Sequence, residues 1–187
     1  MAIYLNNAHN FLPKPQIVEK AFLQGLQLGK EQEIYTQGLT TLQEFFQTPQ
    51  GDFLFIANVE TGLLIALSSL LEPGDEIIVN PMGKYGLSAT FALKQGIQLN
   101  WLTTNHRGEL DLEGLKEQIN PGTKLIITGH GCPFTGQIFP LGEIKQIAQD
   151  NQIPLLVDLS LTAGLIPVDL QGIDLALCAG NKGLWGP

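Results

Sequence analysis

The sequence predicts an α/β fold, a three-layer sandwich on a mostly parallel sheet. Two observations point there. Short apolar runs rich in Ile, Leu and Val recur along the chain, separated by amphipathic stretches of helical length, as expected for strands buried on both faces and joined by crossover helices. Most helical stretches also close on a breaker, such as Gly29, Pro49, Pro73-Gly74, Gly96 or Pro121-Gly122.

In chain order, strands are expected near Phe53–Ala57, Glu76–Asn80, Gln98–Leu102, Lys124–Thr128, Pro154–Leu159 and Asp174–Cys178. Helices are expected near Lys14–Gly29, Leu39–Gln47, Thr61–Leu71, Lys84–Gln95, Asp111–Ile119 and Leu141–Gln149, with Asp111 as a capping residue. No internal repeat or low-complexity linker divides the chain.

The 187 residues suffice for one large domain, and a composition 44% hydrophobic and 15% charged excludes disordered and collagen-like classes. Eighteen acidic residues against ten basic ones leave a net charge of −8. Such a balance repels phosphate backbones and anionic lipid, so small molecules or proteins are the expected partners rather than nucleic acid or membrane. Cys132 and Cys178 are too few for a disulfide framework and fit free thiols in a reducing compartment. With no secretory pattern at Met1-Ala2-Ile3-Tyr4 and no apolar run of about 18 residues, the expected location is cytoplasmic.

Ligands of parallel sheets sit beyond the carboxyl ends of the strands. Asp158 stands at such an end, after Ile153-Pro154-Leu155-Leu156-Val157. Two readings are open for it: a cap on the following turn, or a functional carboxylate, since a lone buried charge costs several kcal/mol. Lys182 lies in Ala179-Gly180-Asn181-Lys182-Gly183, after the last apolar run. It is either a solvent-facing lysine in a glycine-rich turn or an amine able to form a Schiff base among small, apolar neighbours. Together the pair meets the requirements of pyridoxal phosphate: a carboxylate to keep the pyridine nitrogen protonated and an amine to bind the aldehyde.

Other signals are weaker. Gly129-His130-Gly131 lacks the strand-turn-helix context of a dinucleotide loop, and Pro121-Gly122-Thr123-Lys124 runs into a strand where a P-loop lysine would open a helix. His9, His106 and His130 share no metal-ligand spacing. Nothing basic near Cys132 in sequence would lower its pKa, so it is read as a structural thiol.

The segment from Leu156 to Leu170, with Gly172-Ile173-Asp174 and Gly180-Asn181-Lys182-Gly183-Leu184-Trp185-Gly186-Pro187, resembles the class V aminotransferase family, nearest its cysteine desulfurase-like branch. Asn6-Asn7-Ala8, Pro13-Lys14-Pro15, Leu70 to Val79, His130, Thr135-Gly136, Pro140 and Glu143-Ile144 extend the ordered set along the chain.

The resemblance implies a pyridoxal-phosphate-binding large domain over 1–187, with an arm to about residue 50 and a core from about 51. It implies that Lys182 forms the internal aldimine, that Asp158 pairs with the pyridinium nitrogen, and that Thr61 lies at the phosphate, where a helix N-terminus attracts an anion. His130 and Tyr85 join them as cofactor-contact positions, and the implied substrate is a small amino acid such as cysteine. A homodimer is implied, or pairing with a separate C-terminal half, because the family's small C-terminal domain has no counterpart here. Where the family carries a small residue, histidine, asparagine, glutamine and histidine, this chain has Glu60, Lys84, Pro133, Leu161 and Asn181. Those departures leave two alternatives: a truncated or degenerate non-catalytic domain, and a plain nucleotide-binding α/β domain.

Overall fold

The computed structural model describes residues 13–26, 29–81 and 86–186. The elements run α1 (Gln16–Gly25), α2 (Glu31–Phe45), α3 (Val59–Leu70), β1 (Glu76–Val79), α4 (Gly86–Lys94), β2 (Gln98–Trp101), α5 (Leu112–Gln118), β3 (Thr123–Gly129), α6 (Leu141–Asp150), β4 (Leu155–Asp158) and β5 (Leu175–Leu177). The five strands form one sheet in the order β2-β1-β3-β4-β5, and every pairing is parallel. The α/β sandwich expected from the sequence is therefore present.

Strand alternation sorts the core into two layers. Ile77, Val79, Leu125, Ile127 and Leu156 point to one side, against Leu63, Ala66 and Leu67 of α3 and Ala92 of α4. Ile78, Ile126, Leu155 and Val157 point to the other, against Leu115 of α5, Ile144, Ile147 and Ala148 of α6, and Phe46. Helices thus cover both faces, which is why the strands read as continuous apolar runs. Asp111 caps α5 as expected, its Oδ1 accepting the Gly114 N–H at 2.9 Å.

One expected strand is absent. Phe53–Ala57 has strand length and apolar content but makes no ladder. Its rings pack on the first half of α2 and on the residue after that helix: Phe55 meets Tyr35 edge-on at 5.5 Å, and Phe53 stacks on Phe46 with centroids 6.2 Å apart. Leu54 stays exposed. Periodicity alone cannot separate such a run from a strand. Helix α2 also starts well before the expected Leu39, since Glu31 and Glu33 favour its first turn through the helix dipole. Among the described residues, no helix is long and apolar enough to cross a membrane.

Leu156 has no solvent exposure and lies on β4, a strand paired on both edges. Leu156→Ala is expected to destabilise the fold by about 2–5 kcal/mol, read as a lowered urea midpoint with unchanged slope.

Candidate active site

The order β2-β1-β3 reverses direction at β1, and the residues of interest gather at the carboxyl ends of β3, β4 and β5. Register aligns Gly129 and Leu177 on either side of Asp158, so His130 and Cys178 each follow a residue paired with this carboxylate. Asp158 is half-buried. Its Oδ1 accepts the Ser160 N–H at 2.9 Å, and the Ser160 hydroxyl oxygen accepts the Ala179 N–H at 3.0 Å. Asp158 therefore caps the turn that follows it, and through Ser160 that turn is tied to the start of the Lys182 loop.

The Cys178 thiol is pushed up to about 12, by burial first and then by the negative charge of Asp158, with the positive charge of Lys182 pulling back. Register sets Asp158, the last residue of β4, level with Leu177, the last residue of β5, and the loop that follows β5 carries Lys182.

The loop carrying Lys182 is a compact double turn. Lys182 N–H donates to the Ala179 carbonyl at 3.4 Å, Trp185 N–H to the Lys182 carbonyl at 2.8 Å, and Gly186 N–H to the Gly180 carbonyl at 2.6 Å. Main chain lies directly on main chain between this loop and the turn after β4. A Cβ on Gly183 would run into the Ala163 carbonyl, and one on Gly164, whose φ is +82°, would run into the Gly183 carbonyl.

His130 is buried, with Nδ1 3.0 Å from the Thr162 Oγ1, and its backbone N–H donates to the Asp158 carbonyl at 3.0 Å. Burial, and then the positive charge of Lys145, lower its proton affinity, so the ring is uncharged at neutral pH. Thr61 does not hold a free hydroxyl. Its N–H and Oγ1 both donate to Asn58 Oδ1, at 2.8 and 3.0 Å, which makes Asn58 the cap of α3. Glu60 lies in the first turn, where a carboxylate favours the helix dipole. Tyr85 and Lys84 lie outside the described residues, as does the Asn6-Asn7-Ala8 motif.

Sequence reasoning gave no individual role to Asn58, Ser160, Thr162 or Asn80. The last is fully buried at the end of β1, its amide donating to the Thr128 hydroxyl at 3.1 Å. The available signal was position, because each follows a strand or opens a helix. Cys132 is buried as expected for a structural thiol, yet its surroundings differ from expectation. Burial pushes its thiol up, but hydrogen bonds from the Thr135 hydroxyl and amide and the Phe134 amide outweigh this and hold it below its ordinary value. Among the described residues, no group of three or more His, Cys, Asp or Glu side chains could hold a metal ion.

A parallel five-stranded sheet with helices on both faces, and with Asp158, His130 and the Lys182 loop beyond its carboxyl ends, defines a three-layer α/β domain. The chain belongs to the aminotransferase class-V family, whose model matches residues 26–187. It is 29% identical over 122 residues to a cysteine desulfurase of Haloferax volcanii, covering 63% of this chain and 28% of that protein. It is 25% identical over 166 residues to a cysteine desulfurase of Archaeoglobus fulgidus, covering 84% and 43%. Among solved structures, the apo cysteine desulfurase of Thermococcus onnurineus matches with a TM-score of 0.85 at 24% identity, over 99% of this chain and 51% of that one. A C-DES variant with glycine covalently linked to its PLP cofactor matches with a TM-score of 0.81 over 98% and 54%. The chain thus spans about half the length of these solved structures and less than half that of those relatives.

Two outcomes follow from the geometry. Gly183→Ala forces the loop off the Ala163 carbonyl and is expected to cost on the order of 2–3 kcal/mol in urea unfolding. Gly142→Ala in α6, with open space around the added carbon, is expected to be neutral or to stabilise by up to about 1 kcal/mol. The second outcome concerns pH. Because folding lowers the proton affinity of His130, the unfolded chain takes up its proton first as pH falls below the ordinary value of 6.5. Stability is full above that pH and declines below it, until the folded ring also protonates. Urea midpoints between pH 7.5 and 5.5 should fall less for His130→Gln than for the unmodified protein.

Proposed function

We propose that this chain is the cofactor-binding part of a pyridoxal-phosphate-dependent enzyme acting on a small amino acid, cysteine foremost. The observation that carries the proposal is positional: Asp158 ends β4, level with Leu177 at the end of β5, and Lys182 lies in the loop that follows β5. The residues suit the ring end of the cofactor: a carboxylate for the pyridine nitrogen, an amine for the aldehyde carbon, and an uncharged imidazole at His130. The α3 N-terminus suits the phosphate through its helix dipole, with Thr61 available once its hydroxyl turns from Asn58.

When bound, the cofactor supplies an electron sink for the bonds at the substrate Cα. Asp158, oriented by the Ser160 amide, would hold a proton at the pyridine nitrogen. Lys182 would hold the cofactor at Nζ, and the same amine, when free, could move a proton at the substrate Cα. Among the two thiols, Cys178 holds its proton too tightly to act as a nucleophile at neutral pH, and Cys132 is shielded from solvent. Neither therefore serves as sulfur acceptor in this conformation. Names of the relatives support cysteine as substrate.

A second reading, a non-catalytic relative of the family, is favoured by Glu60, whose charge opposes a phosphate at α3. Adding pyridoxal phosphate to the purified chain distinguishes the two. The enzyme reading expects visible absorbance and, after borohydride reduction, a covalent mass addition on the Lys182 peptide. Lys182→Ala should abolish the addition, and Asp158→Asn should weaken cofactor binding about tenfold, ~1.4 kcal/mol. A colourless protein that takes up no cofactor overturns this reading.

A further inference from the structure

The lysine of Pro13-Lys14-Pro15 reaches from the start of the chain to the Lys182 loop. Its half-buried ammonium donates to the carbonyl of Asn181 at 2.8 Å and to that of Gly186 at 2.5 Å. These two carbonyls bracket Lys182-Gly183-Leu184-Trp185. Their dipoles converge on one point, an arrangement that a cation between them favours and that leaves them mutually repulsive without it.

The bracketed turn needs such support. Trp185 has a φ of 58°, a conformation that bulky side chains rarely adopt, and four residues separate the turn from the end of β5 at Leu177. The flanking prolines prepare the donor. A residue before proline is confined to extended backbone, and Pro15 itself sits at φ −60° and ψ 147°, so Lys14 is presented from a stiff segment just ahead of α1. Helix α1 buries no residue, so apolar packing of that helix does not account for the contact.

We propose that Lys14 is a positioning residue for Lys182, a cationic pin that holds the loop in the conformation that presents the reactive amine. The inference rests on the reading of Lys182 as the cofactor-bearing lysine, but the pin itself can be measured without cofactor. In the cofactor-free protein, Lys14→Met should speed amide hydrogen exchange at Trp185 and Gly186 about tenfold while leaving the β3 and β4 amides unchanged, and Lys14→Arg should restore slow exchange. With pyridoxal phosphate and borohydride, Lys14→Met should reduce labelling of Lys182 about fivefold, with labelling of the exposed Lys20 and Lys94 unaltered and Lys14→Arg again restoring it.

Unchanged exchange at Trp185 and Gly186 overturns the pin, whatever the cofactor does. Exchange that rises across the whole sheet also overturns it, because Lys14 would then be a general stability residue. Faster loop exchange in Lys14→Met, with Lys182 unlabelled even in the unmodified protein, upholds the pin and overturns the cofactor reading. Should Lys14→Met fail to fold, acetylation of the unmodified protein decides: Lys14 should react about tenfold more slowly than Lys20, and an equal rate overturns the pin.

Discussion

Two apolar layers close on the middle of the sheet and remove Leu155, Leu156 and Val157 from water. A strand enclosed on both faces and paired on both edges has no room for a polar group along its length, so its first carboxylate emerges at its end. That constraint fixes Asp158, and with it the level at which the neighbouring strands open. Gly129 ends β3 level with it, and Leu177 ends β5 level with it on the other side. The chemistry is thus placed by burial, with hydrogen bonds refining the orientation.

The refinement is carried by small groups. Ser160 receives a bond from one loop and gives an amide to Asp158, so one residue joins the carboxylate to the segment leading to Lys182. Thr162 does the same for the His130 ring, two residues further on. The ends of β3, β4 and β5 are consequently tied to one another through the short segment after β4. The Cys178 thiol is pushed up to about 12, by its burial first and by the Asp158 charge second.

The sheet strands from Glu76 onward were legible because parallel strands buried on both faces leave unbroken Ile, Leu and Val runs, and Asp111 was legible because its cap is local. Phe53–Ala57 misled for the same reason that the others succeeded: it is apolar and short, but its partners are aromatic rings distant in sequence, which periodicity does not register. At the candidate site, the placement of Asp158 at the end of β4 and of Lys182 in the loop after β5 was legible from the order of apolar runs. The Thr61 hydroxyl was assigned to an anion, while Asn58, three residues earlier, takes it as part of an ordinary helix cap. For Cys132 a search for basic neighbours found none, and the donors that lower its proton affinity are uncharged hydroxyl and amide groups three or fewer residues away. What escaped the sequence was mainly the choice of partner among several groups within reach.

Lys182 sits on a loop whose seat is made of peptide groups: Gly183 lies on the Ala163 carbonyl and Gly164 on the Gly183 carbonyl, with no side chain between them. A seat of this kind separates where the amine stands from what surrounds it. The fit of the two loops depends on bare main chain at Gly183 and Gly164, so side chains elsewhere on these segments, such as Asn181 or Leu161, can change without adding an atom to that contact. The shape of the Lys182 loop is thus a property of the fold, and evidence of architecture before it is evidence of turnover.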